Sequence, residues 1–240
     1  MSPTRTLPRL VGAAILIGTI ATACGDDAES MSAAACDRYA DLQAGFFGDP
    51  SQLGAAATAF ADEAPDSLDD DVEVIVAAFS SDDPAAMSSP EFAEANERVG
   101  AAVFDECDSV AAIDVSSIDY AFDGMPSSVS SGRVALRLSN DTESDQPHEL
   151  MIVTGADGQP ADELRDLPME ELMQQARPVG LVFVEQPGAA ATTLVDLEPG
   201  TYLVMCNLPV AENGEQPADD GPPADTHADH GMVTTLTVEA

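Results

Sequence analysis

The hydrophobic pattern of this 240-residue chain changes its period near residue 110, and this change constrains the fold most strongly. Before that point apolar residues recur every three or four positions, which is typical of amphipathic helices. After it, short runs rich in Val, Ile, Leu and Thr alternate with Gly, Pro, Asn and Asp, which is typical of strands joined by turns. The two patterns in succession predict an α plus β chain with two domains.

Four helices are predicted in the first part, separated by breakers that contain Gly or Pro. The predicted helices are Ala33–Phe47, Gln52–Ala61, a helix capped by Ser67 that runs to Phe79, and a helix capped by Ser89 that runs to Phe104. Pro90 at the first helical position and Glu91 in the first turn favour the last of these. The sequence therefore predicts a small helical bundle over residues 32–110. Its charged residues are those of a solvated surface and predict no ligand site.

Seven strands are predicted in the second part, with one helix among them. The predicted strands are Ser117–Phe122, Arg133–Asn140, His148–Val153, Leu181–Val184, Thr192–Asp196, Thr201–Cys206 and Val233–Val238. The helix is predicted over Asp162–Ala176, with a bend at Pro168. Short strands at this spacing favour an antiparallel Greek-key β-sandwich over residues 113–240.

The first 24 residues have the pattern of an export signal that ends on a cysteine. Arg5 and Arg9 give a positive start, and an apolar run too short to span a bilayer leads to Cys24. The pattern resembles a bacterial lipoprotein signal, which is cut before the cysteine whose thiol then carries lipid. It predicts a signal peptide over 1–23, a lipidated tether over 24–31, and anchoring on the extracytoplasmic face of the bacterial cell membrane. An ordinary secreted protein with a free cysteine is the alternative.

The charge of the chain excludes two classes of partner. There are 44 Asp and Glu residues against 8 basic residues, all of them Arg, which gives a formal charge of −36. Nucleic acid needs a basic footprint, and so does an anionic lipid surface that is bound by charge alone. An acidic surface favours a partner with a basic patch, and the sequence does not identify that partner.

Export places the remaining cysteines in a compartment that permits disulfides. With Cys24 carrying lipid, three cysteines remain, and the economical solution pairs two of them. Cys36 and Cys107 bracket the helical segment, whereas Cys206 lies among the strands. We therefore predict a Cys36–Cys107 disulfide. The remaining Cys206 is either a metal ligand or a small buried apolar residue.

Four residues of the strand region carry the side chains of a metal site. His148 opens a strand, Cys206 ends one, and His227 and Met232 lie just before the last strand. Strand alternation places His148, Cys206 and Met232 on the faces that carry Leu150, Ile152, Tyr202, Val204, Leu236 and Val238. Two imidazoles, one thiolate and a weak axial thioether are the ligands of a type 1, or blue, copper site.

These residues resemble the motifs of the cupredoxin family, the plastocyanin-like blue copper proteins. The matching segments are Pro147-His148, the Gly-x-Tyr-x-x-x-Cys run that ends at Cys206, and the His-x-x-x-Gly-Met run from His227 to Met232. The resemblance covers residues 113–240. It implies a cupredoxin-like domain with one copper ion, equatorial ligands His148, Cys206 and His227, and Met232 as the axial ligand.

Three features depart from the family pattern. Twenty residues separate Cys206 from His227, where the family usually has a few, and this acidic loop is expected to leave the site and return to it. Glu149 follows the first histidine, where plastocyanin-like proteins commonly have Asn. His230 lies three residues after His227, and we expect it to be a surface or supporting residue rather than a ligand.

The sequence thus predicts a membrane-anchored copper protein that carries single electrons and is not an enzyme. Three histidines are too few for a multicopper oxidase or a copper nitrite reductase, and the Gly-x-Ser-x-Gly motif of hydrolases is absent. A copper carrier and a metal-free cupredoxin-like interaction module remain as alternatives.

Overall fold

The computed structural model describes residues 30–81, 83–143, 146–155, 161–165, 167, 169–210 and 225–240. The predicted signal peptide, Cys24 and nearly all of the predicted tether lie outside these residues. Within the described ranges, no helix combines the length and apolarity that crossing a bilayer requires.

Four helices lie where the helical period predicts them. They are α1 (Ala33–Gly45), α2 (Leu53–Ala61), α3 (Asp69–Phe79) and α4 (Pro90–Glu106). The Ser89 hydroxyl accepts a hydrogen bond from the Phe92 amide at the start of α4, as predicted. The prediction that Ser67 caps α3 is wrong, because Ser67 lies within a preceding 3-10 turn. The first turn of α3 instead carries three aspartates, whose negative charges interact favourably with the positive end of the helix dipole.

The predicted disulfide ties the first helix to the end of the last. Cys36 and Cys107 are bonded with an S–S distance of 1.99 Å and a Cα–Cα distance of 5.7 Å. Both cysteines are buried in the helical core. The Cys36–Cys107 prediction is confirmed, and Cys206 is the free, buried cysteine of the described residues.

In the part of the chain that the structure describes, nine strands form two sheets that face each other. The strands are β1 (Ala111–Ile118), β2 (Ala121–Asp123), β3 (Ser128–Ser130), β4 (Gly132–Asn140), β5 (His148–Gly155), β6 (Ala176–Val184), β7 (Ala190–Leu197), β8 (Gly200–Met205) and β9 (Val233–Glu239). One sheet has the order β2-β1-β4-β7 and the other β3-β9-β8-β5-β6. The predicted class, a helical part followed by a β-sandwich, is confirmed.

The sandwich is mixed rather than purely antiparallel. β1 pairs in parallel with β4, and β3 pairs in parallel with β9. The cause is the short strand β3, which the sequence pattern does not reveal. It takes the chain into the opposite sheet, so that β4 returns beside β1 in the same direction, as parallel pairing requires.

Two further boundaries differ from the predictions. The predicted strand Ser117–Phe122 contains a turn, where Asp119 adopts a left-handed φ of 52° and β1 gives way to β2. Aspartate tolerates this conformation better than most residues. The predicted helix Asp162–Ala176 is two short helices, α5 (Ala161–Leu164) and α6 (Met169–Gln175), and residue 168 lies outside the described residues.

The helical part covers the outer face of the four-stranded sheet. Leu194 of β7 is buried among the side chains of the helical core. The Tyr39 hydroxyl donates to the carbonyl of Thr192 at 2.8 Å. Arg133 of β4 forms ion pairs with Asp37 of α1 and with an aspartate of β7. Helices and sheet therefore share buried contacts.

The outer face of the five-stranded sheet is covered as well. A separate apolar cluster joins α5 and α6 to the strands beneath them: Met151, Val153, Ala161, Leu164, Leu172, Leu203 and Met205. β5 and β8 are therefore buried on both faces, which explains why they are apolar at both parities. The inner faces still follow the predicted alternation, since Leu150, Ile152, Tyr202, Val204, Leu236 and Val238 all line the core between the sheets.

Candidate metal centre

Three separate elements bring His148, Cys206 and His227 together. His148 is the first residue of β5, Cys206 follows β8 directly, and His227 lies in the turn before β9. Their exposed fractions are 1%, 0% and 0%. One donor atom from each lies within 4.8 Å of the other two. The three residues that the spacing singles out therefore form one buried group.

The distances within this group suit ligands of a common ion. The Nδ1 atom of His227 lies 3.3 Å from the Sγ atom of Cys206 and 3.2 Å from the Nδ1 atom of His148. Ligands held about 2.0–2.3 Å from one metal ion lie at such separations from each other. The Nε2 atom of His148 is buried without a hydrogen-bond partner among the described residues. The residues thus fit one copper ion by donor type, burial and spacing.

Met232 lies against this group through its backbone. The amide of Cys206 donates to the carbonyl of Met232, and the amide of Met232 donates to the carbonyl of His227, both at 3.0 Å. The Met232 side chain is fully buried. Met232 therefore lies next to both Cys206 and His227.

The long loop after Cys206 leaves and returns at the same place. The amide of Val210 donates to the carbonyl of Asp225, and the amide of His227 donates to the carbonyl of Leu208. The intervening residues 211–224 lie outside the described residues. The expectation that the excursion returns to the site is confirmed, since these bonds seat His227 beside Cys206.

The turn that carries His227 is closed by local hydrogen bonds. The side chain of Asp229 accepts from both the amide and the hydroxyl of Thr226, at 2.8 and 2.9 Å. Gly231 then adopts a φ of 109°, which is open to glycine and strained for other residues. The backbone conformation thus explains the glycine of the Gly-Met motif, because the chain turns there to enter β9.

Backbone amides surround the sulfur of Cys206. The amide of Glu149 donates to Sγ at 3.4 Å, and the amide of Leu208 donates to it as well. Burial raises the pKa of the Cys206 thiol to about 12. The metal-free thiol is therefore neutral at pH 7, and a bound cation would be needed to hold it as thiolate.

Glu149, the departure from the family pattern, has a structural role. Its carboxylate accepts a hydrogen bond from the amide of Asn207 at 2.9 Å. Burial raises the pKa of Glu149, and the Asn207 bond opposes that rise. One residue thus links the start of β5 to the segment after Cys206 through both its amide and its side chain.

Both histidines of the group are held in the neutral form. Burial lowers the pKa of His227 to about 4, and the neighbouring His148 and His230 add to this effect. Burial also lowers the pKa of His148, against a smaller opposite effect of Asp119. Neutral imidazoles are the form that binds a metal ion.

Two residues that the sequence analysis did not single out contact His227. The Oε1 atom of Gln146 lies 3.0 Å from its Nε2 atom, and the ring of Tyr120 packs edge-on at 5.2 Å. Gln146 stands two residues before His148, which is a sequence cue for a supporting role, whereas Tyr120 in a turn gives no such signal. His230 stacks on Tyr120 and lies outside the group of His148, Cys206 and His227.

Comparisons with known proteins find similarity among solved structures. No protein-family model matches the chain, and no curated protein matches it in sequence. It is similar to the solved structure of reduced auracyanin from Roseiflexus castenholzii, with 21% identity and a TM-score of 0.36, over 55% of this chain and 98% of that one.

Two further solved structures are similar over the same share of the chain. Auracyanin A from Chloroflexus aurantiacus, described as a "blue" copper protein, has 18% identity and a TM-score of 0.29, over 54% of this chain and 98% of that one. Rusticyanin from Thiobacillus ferrooxidans has 14% identity and a TM-score of 0.31, over 55% of this chain and 80% of that one. Each of the three similarities covers about half of this chain.

Proposed function

We propose that this chain is a type 1 copper protein that carries single electrons outside the cytoplasm while anchored to the cell membrane by lipid on Cys24. The observation that carries the copper proposal is the buried group of His148, Cys206 and His227, with donor atoms 3.2 to 3.3 Å apart. Two imidazoles and one thiolate exclude hard cations, which prefer oxygen ligands, and suit copper or zinc. The resemblance to the cupredoxin motifs, with Met232 beside the group, favours copper. When bound, copper supplies a one-electron couple.

The surroundings of the site suit electron transfer better than catalysis. His148, Cys206 and His227 are all buried. β5, which begins with His148, and β8, which ends just before Cys206, are covered on both faces. A rigid site of this kind changes little in geometry between two oxidation states. We propose that substrate has no open position at the metal, and that Met232 is the axial ligand.

The membrane anchor and the partner are the finer parts of the proposal. The anchor is supported by the export pattern that ends at Cys24, and mass spectrometry of the protein purified from membranes would test for a lipidated N-terminal cysteine. The charge of −36 supports a redox partner with a basic docking surface. Electron-transfer rates that do not fall with added salt would contradict this steering.

The copper proposal is tested by metal analysis and voltammetry of the copper-loaded protein. We expect one copper ion per chain and a reversible one-electron wave. His148→Ala should abolish the wave, whereas His230→Ala, which removes an exposed histidine outside the group, should keep it. Equal losses in both variants, or copper bound without a reversible wave, would contradict the proposal, and the latter would favour a copper carrier.

A metal-free interaction module is less well supported by the geometry. Such a module has no need for a free cysteine 3.3 Å from a neutral histidine in a fully buried pocket. A protein that binds no copper from an equimolar solution would nevertheless favour it.

A further inference from the structure

We propose that Gln146 is a positioning residue of the metal centre, whose side-chain oxygen holds His227 in the tautomer that leaves Nδ1 free for the metal. The inference rests on the proposed function of the site and assigns a task to a residue outside the ligand set. It concerns the second histidine alone.

The geometry of His227 distinguishes its two ring nitrogens. Nε2 faces the Oε1 atom of Gln146 at 3.0 Å, whereas Nδ1 faces Cys206 and His148 at 3.3 and 3.2 Å. A neutral imidazole carries one N–H, and that group donates to an acceptor. With the Gln146 oxygen at Nε2, the proton lies there, and the lone pair on Nδ1 points at the other donors. A proton on Nδ1 would instead occupy the place of the metal.

Gln146 is itself held in place by a buried residue. Asn140, fully buried at the end of β4, donates through Nδ2 to the carbonyl of Gln146 at 2.9 Å. Its Oδ1 atom accepts from the amide of Thr142 at 3.3 Å. Pro147 restricts the backbone on the other side of Gln146. The acceptor thus belongs to the same segment that presents His148, and it couples the placement of the two histidines.

The ring of His227 has little freedom to choose another partner. Tyr120 packs edge-on against it, with ring centroids 5.2 Å apart, and the ring is fully buried. His148 differs, because its Nε2 atom has no partner among the described residues. A histidine that binds metal commonly donates its other N–H to an acceptor, and loss of that acceptor typically weakens metal binding 10- to 100-fold. Among the described residues, the acceptor at the second ring nitrogen of His227 is the side-chain oxygen of Gln146.

Three variants of the full chain test the proposal. Gln146→Leu removes the acceptor at similar size, and Gln146→Glu keeps an acceptor oxygen. Gln186→Leu is the matched control, since Gln186 is exposed in the turn between β6 and β7. The first measurement is the imidazole ¹⁵N chemical shifts of His227 in the metal-free protein at pH 7, which report the tautomer. The second is copper affinity, and thermal unfolding shows that each variant is folded.

We expect the Nε2–H tautomer in the wild type, Gln146→Glu and Gln186→Leu, and an added Nδ1–H population in Gln146→Leu. Copper affinity should fall about 10- to 100-fold in Gln146→Leu and be largely restored in Gln146→Glu. A folded Gln146→Leu variant with wild-type tautomer and wild-type affinity would overturn the proposal. Gln146→Ala provides the same test if the leucine variant does not fold.

The two readouts separate this proposal from the copper function. A wild-type protein that binds no copper would sink the proposed function, while the tautomer in the metal-free protein would still decide whether Gln146 sets the proton position. A wild type with a Nδ1–H tautomer would overturn the Gln146 proposal even if copper binds.

Discussion

Acidification of the metal-free protein is predicted to destabilise it through His227. The folded state holds the pKa of His227 at about 4, mainly because the ring is buried, whereas an unfolded imidazole titrates near 6.5. Between these values the unfolded chain binds more protons, so the free energy of unfolding falls as the pH falls. The contribution of the buried, neutral His227 to the free energy of unfolding is fully present above pH 6.5 and is lost as the pH falls to about 4.

The magnitude follows from the gap between the two pKa values. A gap of about 2.5 pH units at about 1.36 kcal/mol each predicts a loss of about 3 kcal/mol from this one residue. Other groups titrate as well, since relief of repulsion in a chain of charge −36 acts in the opposite sense at low pH. The effect of His227 must therefore be isolated by comparison with a variant.

The assay is urea unfolding of metal-free protein at several pH values between 7 and 4. His227→Gln should lose about 3 kcal/mol less stability over this range than the wild type does. His148, whose pKa burial also lowers, remains in both proteins. His230→Gln removes the smallest of the three causes of the His227 shift and should therefore keep most of the wild-type pH dependence. Identical pH dependence in wild type and His227→Gln would refute the reasoning.

Three further predictions concern the fold and the axial position. Tyr39→Phe should lower the free energy of unfolding by about 1–2 kcal/mol, because the carbonyl of Thr192 loses a buried donor, and denaturant unfolding would measure it. Replacing Cys36 and Cys107 by Ala removes a bond across 71 residues and should cost about 4 kcal/mol, measured the same way under oxidising conditions. Met232→Leu should retain copper and raise the reduction potential in voltammetry, because the oxidised ion loses its weak axial donor. An unchanged value in any of the three would count against the interaction concerned.

The ligand group could be predicted because each ligand stands at a fixed place in a strand pattern. His148 opens β5, Cys206 follows β8, and His227 precedes β9, and their donor types and order, together with the resemblance to the cupredoxin motifs, grouped them. The Cys36–Cys107 pairing could be predicted for a similar reason, because the two cysteines bracket a segment of uniform helical period. Both predictions depend on local sequence patterns, which the fold preserves.

The remaining features depend on contacts between distant residues. The place of Gln146 two residues before His148 is a cue for a supporting role, but Gln146 lies 81 positions from His227, and no local pattern indicates that its side chain reaches that ring. β3 has three residues, too few for its period to be recognised, although its parallel pairing with β9 makes the five-stranded sheet mixed. The sequence also did not predict that helices cover the outer faces of the sheets. Apolar residues at both parities of β5 indicate burial on both faces but do not identify the element that buries them.

The visible and EPR spectra of the copper-loaded full chain, compared with those of Cys206→Ser, test the central claim most directly. The account predicts an intense thiolate-to-copper absorption and the narrow copper hyperfine splitting of a type 1 site in the wild type. Both should be absent in the variant, which replaces the buried sulfur by a hydroxyl. Copper bound to the wild type with a weak absorption and wide hyperfine splitting, or spectra unchanged by Cys206→Ser, would contradict it.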